Sequence, residues 1–282
     1  MIGVTGASGY VGGRVLSHLR AQGIDAVALV RRPAPEEEGA RRYALDAPLE
    51  DSALEGLRMV VHAAYDLSQR GERVRAVNLS GSLPLLDALA AQGGRALLIS
   101  SLSAYEGAPS EYGRTKLELE RAVLERDGIV LRPGLVFGAN GGGLFGAMVA
   151  ALSRRAIMPM IGGGSQRLFV THDERLSELV AAIVAGSSQA DRPLFAAHEV
   201  PTTLRAIAEQ IARAQGRRLA AIPFPGALAR LGLRSAELTG LGLPFRSDSV
   251  RSLASPIPLD QVSALARSAI RFPALTPELW LR

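Results

Sequence analysis

Short apolar runs alternate with longer amphipathic stretches through the first half of the chain. Residues 2–5, 26–30, 59–63, 96–100 and 129–132 are brief, mostly apolar runs with the length and character of buried strands. Residues 11–21, 74–91 and 111–127 carry apolar positions at helical spacing. Gly23 closes the first of these helices, Arg31-Arg32-Pro33 the second strand and Pro133 the last strand. Pro84 falls inside the 74–91 helix and threatens a kink, because proline has no N–H and its ring crowds the preceding turn. Strands alternating with helices predict βαβ units and a parallel sheet.

The pattern changes after about residue 140. Gly141-Gly142-Gly143 and Gly162-Gly163-Gly164 read as flexible punctuation, with no strand–turn–helix context to make the second a phosphate loop. A strand is expected over 168–171 and a helix over 174–185, with Leu176, Leu179, Val180 and Ile183 on its apolar face. Another helix is expected over 202–216, and from residue 219 the chain is Pro-, Leu- and Ser-rich with short helices only. The expected fold class is α/β: a Rossmann-like, doubly wound parallel sheet with a smaller, mostly helical C-terminal lobe. That lobe would pack over the carboxyl edge of the sheet, where open α/β sheets bind ligands. Trp280 is expected to be a packing anchor.

Composition narrows the class. The 282 residues are 48% hydrophobic and 21% charged, which excludes a disordered tail, a collagen or a small disulfide scaffold. The absence of cysteine excludes a disulfide framework, a thiolate metal site and a cysteine nucleophile, and suits a cytoplasmic location. No apolar run reaches the roughly 18 residues of a membrane span, and no signal peptide is expected. The net charge of +5 comes almost wholly from arginine, scattered rather than clustered with aromatics. This fits an Arg-rich surface with some arginines meeting an anionic small molecule, not a nucleic-acid face. His18, His62, His172 and His198 lack metal spacing, so no metal is expected; all four read as structural, with His172 able to lie near the substrate mouth.

Gly6-Ala7-Ser8-Gly9-Tyr10-Val11-Gly12 follows the first strand and opens the first helix. Gly6 permits the tight turn, Gly9 lets backbone approach a pyrophosphate, and Gly12 lets helix and strand pack closely. The stretch predicts a dinucleotide-binding domain over 1–140, with returns from 165–200, and a mainly substrate-binding lobe over 141–282. An acidic residue at the end of the second strand would favour the free ribose 2′-hydroxyl of NAD, whereas arginine favours the 2′-phosphate of NADP. Arg31 and Arg32 stand there and Asp25 lies at the wrong end, so NADP is favoured with NAD left open.

Tyr112 and Lys116 are four apart on a predicted helix and share a face. A phenol near pKa ~10 is a poor base at neutral pH, and a nearby ammonium favours the phenolate. Such a pair can pass a proton to or from a substrate oxygen while hydride moves at a nicotinamide. Upstream, Ser100-Ser101-Leu102-Ser103 follows a strand and offers a hydroxyl to the same oxygen.

On these residues the chain resembles the extended short-chain dehydrogenase/reductase superfamily, in its NAD-dependent epimerase/dehydratase group, from residue 1 to about 185. Thr5 and the Gly6–Gly12 stretch, with Ser8, Gly9, Tyr10 and Val11, resemble its cofactor loop. Asp46 resembles the residue contacting adenine, and Val61-His62-Ala63-Ala64 the motif whose alanines lie against the cofactor. Asn78 resembles the asparagine supporting the active-site architecture. The resemblance implies that Ser101, Tyr112 and Lys116 are catalytic, with Lys116 also holding the nicotinamide ribose. It also implies that Pro133, in the segment 131–138, lines the nicotinamide. Within the segment 166–173 it places Arg167 on a substrate diphosphate, and Ser103 near the substrate. The implied substrate is a nucleotide-activated sugar, and relatives often pair as homodimers through two long helices, here about 74–91 and 111–127.

Three departures shape the expectation. Only ten residues separate Ser101 from Tyr112, so the intervening loop is trimmed. Leu102-Ser103 stands where sugar 4,6-dehydratases carry Asp-Glu, which argues against dehydration. Arginine after the second strand shifts weight toward net reduction of a keto-sugar with NADPH, with epimerisation at one carbon left open. The alternatives are a reductase of a non-sugar carbonyl, for which the apolar stretch 219–225 leaves room, and a non-catalytic dinucleotide-binding sensor.

Overall fold

In a computed structural model of the protein, residues 1–34, 39–69, 71–139, 141–186, 192–224 and 257–281 are described. The first half runs β1 (Ile2–Thr5), α1 (Tyr10–Ala21), β2 (Ala26–Val30), β3 (Arg41–Arg42), β4 (Met59–His62), α2 (Glu72–Ala91), β5 (Arg95–Ile99), α3 (Glu111–Leu124) and β6 (Ile129–Pro133). There follow β7 (Leu135–Phe137), α4 (Gly143–Arg154), β8 (Ile157–Ile161), β9 (Arg167–Leu168), β10 (Val170–His172), α5 (Asp173–Val184) and β11 (Leu194–Ala196). The C-terminal part holds β12 (Thr202–Thr203), α6 (Leu204–Ala214), β13 (Ala220–Phe224), α7 (Leu259–Ser263) and β14 (Ala266–Arg267).

Eight strands form one sheet in the order β3-β2-β1-β4-β5-β6-β11-β14, and every neighbouring pair is parallel. The strand order reverses between β1 and β4, the switch point at which doubly wound sheets open a crevice. Thr5 lies level with His62, and His62 with Leu98, so the loops after β1, β4 and β5 leave the same edge. β14 brings residues beyond 257 back to the sheet.

Alternate strand residues feed two cores, as the two-residue period of a strand dictates. Ile2, Val4, Val61, Leu97 and Leu131 pack with α1 and α5 through Val15, Leu19, Leu176 and Val180. Val27, Leu29, Val60, Leu98 and Val130 pack with α2 and α3 through Leu85, Leu89, Leu119 and Val123.

Pro84 does not break α2, which runs unbroken from Glu72 to Ala91. Both Pro84 and Ser80, whose carbonyl loses its helical donor, are exposed, so water can take that bond. α3 stops at Leu124, short of the expected 127, because Asp127 turns the chain at φ 53°. Each glycine run holds a crowded position, while a Cβ on Gly143 or Gly163 would meet nothing within 4 Å. A Cβ on Gly142 would lie 2.6 Å from Tyr10 Cβ, and one on Gly164 2.6 Å from Met160 Sδ.

The smaller lobe joins α4 and α6 to short strand pairs, β8 with β13 and β9 with β12. Its core gathers Phe145, Met148, Leu152, Ile207, Ile211 and Trp280. Trp280 meets Phe145 edge-on at 5.6 Å, the anchoring role expected of it. No helix among the described residues is long and apolar enough to cross a membrane.

Candidate active site

The turn after β1 is built for close backbone approach. Gly6 sits at φ +65°, and a Cβ there would lie 2.8 Å from the Ala64 nitrogen. A Cβ on Gly12 would lie 2.3 Å from the Gly6 carbonyl oxygen. Gly9, whose N–H donates to that carbonyl at 2.9 Å, is the N-cap of α1. No side chain caps this helix and no acidic residue occupies its first turn, so its leading N–H groups can receive an anion. Tyr10 opens α1 and Val11 follows, while Ser8 is exposed at the rim. This cradle fits the pyrophosphate of a dinucleotide.

A buried polar chain holds the cradle against β4. The N–H groups of Ala63 and Ala64 both donate to Thr5 Oγ1 at 3.1 Å. The Thr5 hydroxyl is thereby left to donate to His62 Nδ1 at 2.8 Å, so Nε2–H faces Ser82 Oγ at 2.8 Å. Burial pulls the His62 pKa down to about 3 and Lys116 adds to the effect, so the ring stays neutral. The Tyr10 side chain, expected at the cofactor, donates its hydroxyl to Asp173 at 2.8 Å, where Arg14 Nε also binds at 2.7 Å. Tyr10 therefore ties α1 to the start of α5, and only its backbone remains for an anion.

Ser110 caps α3 by accepting from the Gly113 N–H at 3.1 Å. A Cβ on Gly113 would lie 2.3 Å from the Ser103 carbonyl oxygen, so the Ser101–Ser103 turn seats directly on the start of α3. Leu102 N–H donates to the Pro133 carbonyl at 2.9 Å and holds the turn to β6. Ser101 Oγ accepts from the Ser103 N–H at 3.1 Å and hydrogen-bonds the Tyr112 phenol. Lys116 is buried and donates to the Ile99 carbonyl at 2.8 Å. Ser101, Tyr112 and Lys116 thus converge at the carboxyl end of β5.

The electrostatics differ from the sequence expectation in one respect. Burial pushes the Tyr112 phenol up, the Ser101 hydrogen bond pulls it down and Glu120 adds repulsion. The force lowering it is Ser101's hydroxyl, whereas the Lys116 ammonium goes to the Ile99 carbonyl and over the Tyr65 ring, 4.9 Å from its centroid. Burial pulls Lys116 down to about 8, against the pull of Glu120.

Tyr65 and Glu120 were absent from the sequence expectation, whereas Asn78 was named there. The Tyr65 ring meets Tyr112 edge-on at 5.0 Å and stands over Lys116. Asn78 holds the Tyr65 loop: its amide donates to the Asp66 carbonyl at 3.0 Å and accepts from the Asp66 N–H at 2.7 Å. Glu120 is buried one turn past Lys116 and receives Arg132 Nε at 2.9 Å and the Ser100 hydroxyl. The one available signal was the spacing Tyr112, Lys116, Glu120, a single helical stripe.

The remaining expected residues lie further out. Arg31 and Arg32 are exposed at the carboxyl end of β2, Asp46 is exposed after β3, and Arg167 is exposed in β9. His172 is buried with its ring 5.3 Å from Phe137. Among the described residues no group of three His, Asp or Glu gathers as a metal site.

A model of the NAD dependent epimerase/dehydratase family matches residues 2–188. The chain is 27% identical over 277 residues to the uncharacterized protein y4nG of Sinorhizobium fredii, covering 86% of this chain and 68% of that one. It is 26% identical over 196 residues to a ceramide reductase of Caulobacter vibrioides, covering 64% of this chain and 60% of the reductase. Among solved structures, MoeE5 in complex with UDP-glucuronic acid and NAD superposes with a TM-score of 0.67 at 22% identity, over 93% of this chain and 99% of that one. The UDP-glucose 4-epimerase of Thermotoga maritima with UDP-glucose superposes with a TM-score of 0.67 at 18% identity, over 79% and 85%. At such identities the structural likeness is one of fold.

Proposed function

The chain belongs to the NAD-dependent epimerase/dehydratase family, and on that premise we propose that it oxidises, reduces or epimerises one carbinol or carbonyl carbon of a nucleotide-activated sugar. A nicotinamide dinucleotide, when bound, supplies or accepts the hydride. The observation that carries this reading is the convergence of Ser101, Tyr112 and Lys116 beside an uncapped glycine cradle. Tyr112 exchanges a proton with the substrate oxygen, Ser101 orients that oxygen, and Lys116 holds positive charge beneath them. The backbone from Gly6 to Gly12 receives the pyrophosphate, and Ala63, Ala64 and Pro133 line the crevice.

Arg31 and Arg32 favour the 2′-phosphate of NADP, and Asp46 suits the adenine rim. In this reading Arg167 takes a substrate diphosphate and Ser103 the substrate itself. The units follow the same logic: residues 1–140, with returns from 165–200, bind the dinucleotide, and 141–282 mainly shape the substrate site.

A second reading, reduction of an apolar carbonyl compound, has its own support. Leu102, next to Ser101, packs with Phe169, Phe195, Val262 and Leu265. A 26%-identical relative is a ceramide reductase. Calorimetric titration with NADPH and NADH, followed by turnover on UDP-sugars and on long-chain ketones, separates the readings. Tighter NADPH binding with sugar turnover supports the first; ketone turnover alone moves the second ahead; no dinucleotide binding ends both. In Tyr112→Phe, turnover is expected to fall by about 10³-fold with dinucleotide affinity unchanged. Unchanged turnover would remove Tyr112 from the chemistry.

A further inference from the structure

Lys116 is the only lysine in the chain; the rest of its 32 Lys and Arg residues are arginine. It is buried, and an ammonium without a countercharge loses its proton readily in such a place. The groups facing it come from four directions. Tyr112 and Glu120 stand one turn away on either side along α3. Tyr65 covers it from the loop after β4, His62 approaches from β4, and Arg132 lies beyond Glu120 in β6. His62 is neutral and the tyrosines carry no charge at neutral pH, so Glu120 is the anion available to Lys116 among these groups.

Glu120 is itself held in place. Arg132 Nε reaches both its oxygens, at 2.9 and 3.1 Å, and Ser100 Oγ donates to Oε1. Ser100 follows Ile99, whose carbonyl takes the Lys116 ammonium. One corner of β5 therefore anchors both the carboxylate and the amine. Buried ion pairs contribute little net stability compared with apolar packing, so an Arg–Glu pair behind a reactive site needs another reason to be there.

Resting on the catalytic reading above, we propose that Glu120, clamped by Arg132 and Ser100, is a positioning residue that keeps Lys116 charged one helical turn from Tyr112. Burial drives Lys116 down and Glu120 opposes that fall.

The single lysine makes the test direct. Lysine labelled with ¹³C at Cε gives one resonance in the full-length protein, and its pH titration reads Lys116 alone. In Glu120→Gln its midpoint is expected to fall by about one unit, and in Glu120→Asp to return toward the wild-type value. Glu120→Gln strands Arg132, so Glu120→Gln/Arg132→Met serves if the single variant does not fold. There the midpoint falls by less, because a repelling guanidinium leaves with the attracting carboxylate. A midpoint that stays put in every variant that folds overturns the proposal, whatever happens to stability. The titration needs no substrate. If Lys116 moves but the wild type shows no dinucleotide-dependent turnover, the coupling stands and the catalytic reading fails. If turnover is present and Lys116 does not move, the reverse holds.

Discussion

A buried lysine is a cost that a folded chain carries only where something else requires it. The Lys116 pKa, pulled from 10.5 to about 8, measures that cost at roughly 3 kcal/mol below pH 8. The sign follows from linkage. Between about 8 and 10.5 the unfolded chain holds the lysine proton and the folded chain does not, so stability rises with pH across that window. Lys116→Met is therefore expected to raise the Tm by about 6–12 °C at pH 7, with the advantage shrinking as pH climbs from 8 toward 10.5. Calorimetry of both proteins at pH 7 and pH 10 checks it; a variant less stable than wild type at pH 7 would mean that the bond to Ile99 outweighs the buried charge. The pair Tyr112 and Lys116 was legible in the sequence because four residues make one helical turn. The Ser101 hydrogen bond that lowers Tyr112 was not, since it depends on how the turn after β5 folds onto α3.

At the scale of elements, α1 and α3 place the two halves of the site. The start of α1 was legible from its glycine spacing, and each glycine has a contact that explains it. Gly12→Ala would push a methyl to 2.3 Å from the Gly6 carbonyl oxygen and part α1 from β1. It is expected to weaken dinucleotide binding at least about 10-fold, a loss of about 1.4 kcal/mol, measurable by calorimetry. An unchanged Kd would show that the cradle tolerates a wider turn. In the runs 141–143 and 162–164 a glycine means open space at Gly143 and Gly163 and crowding at Gly142 and Gly164. Only the neighbour decides, and Tyr10 at Gly142 and Arg205 at Gly164 are neighbours from distant sequence.

For the whole molecule, one long-range connection between the cofactor cradle and the rest of the fold runs through Asp173. It accepts from Tyr10 and Arg14 across more than 150 residues of chain and is almost fully buried, while Arg14 is partly exposed. Asp173→Asn is expected to cost about 2 kcal/mol, discounted for the exposure of Arg14. The expected readout is a Tm lowered by about 4–8 °C together with weaker dinucleotide binding. A lower Tm with unchanged binding would confine Asp173 to holding α1 against α5.

What the sequence determined by itself was whatever local period and spacing encode. The alternation of apolar runs with amphipathic helices set the parallel sheet, the glycine spacing set the cradle, and one helical turn paired Tyr112 with Lys116. What the tertiary structure decided was everything that depends on which surfaces meet. The Thr5–His62–Ser82 chain, the Tyr65 ring over Lys116, the Glu120–Arg132 clamp and the capture of Tyr10 by Asp173 all join residues far apart in sequence. Hydrogen bonds and buried charges act over a few ångströms of space, and separation along the chain carries no record of that distance until the sheet has brought its strand ends together.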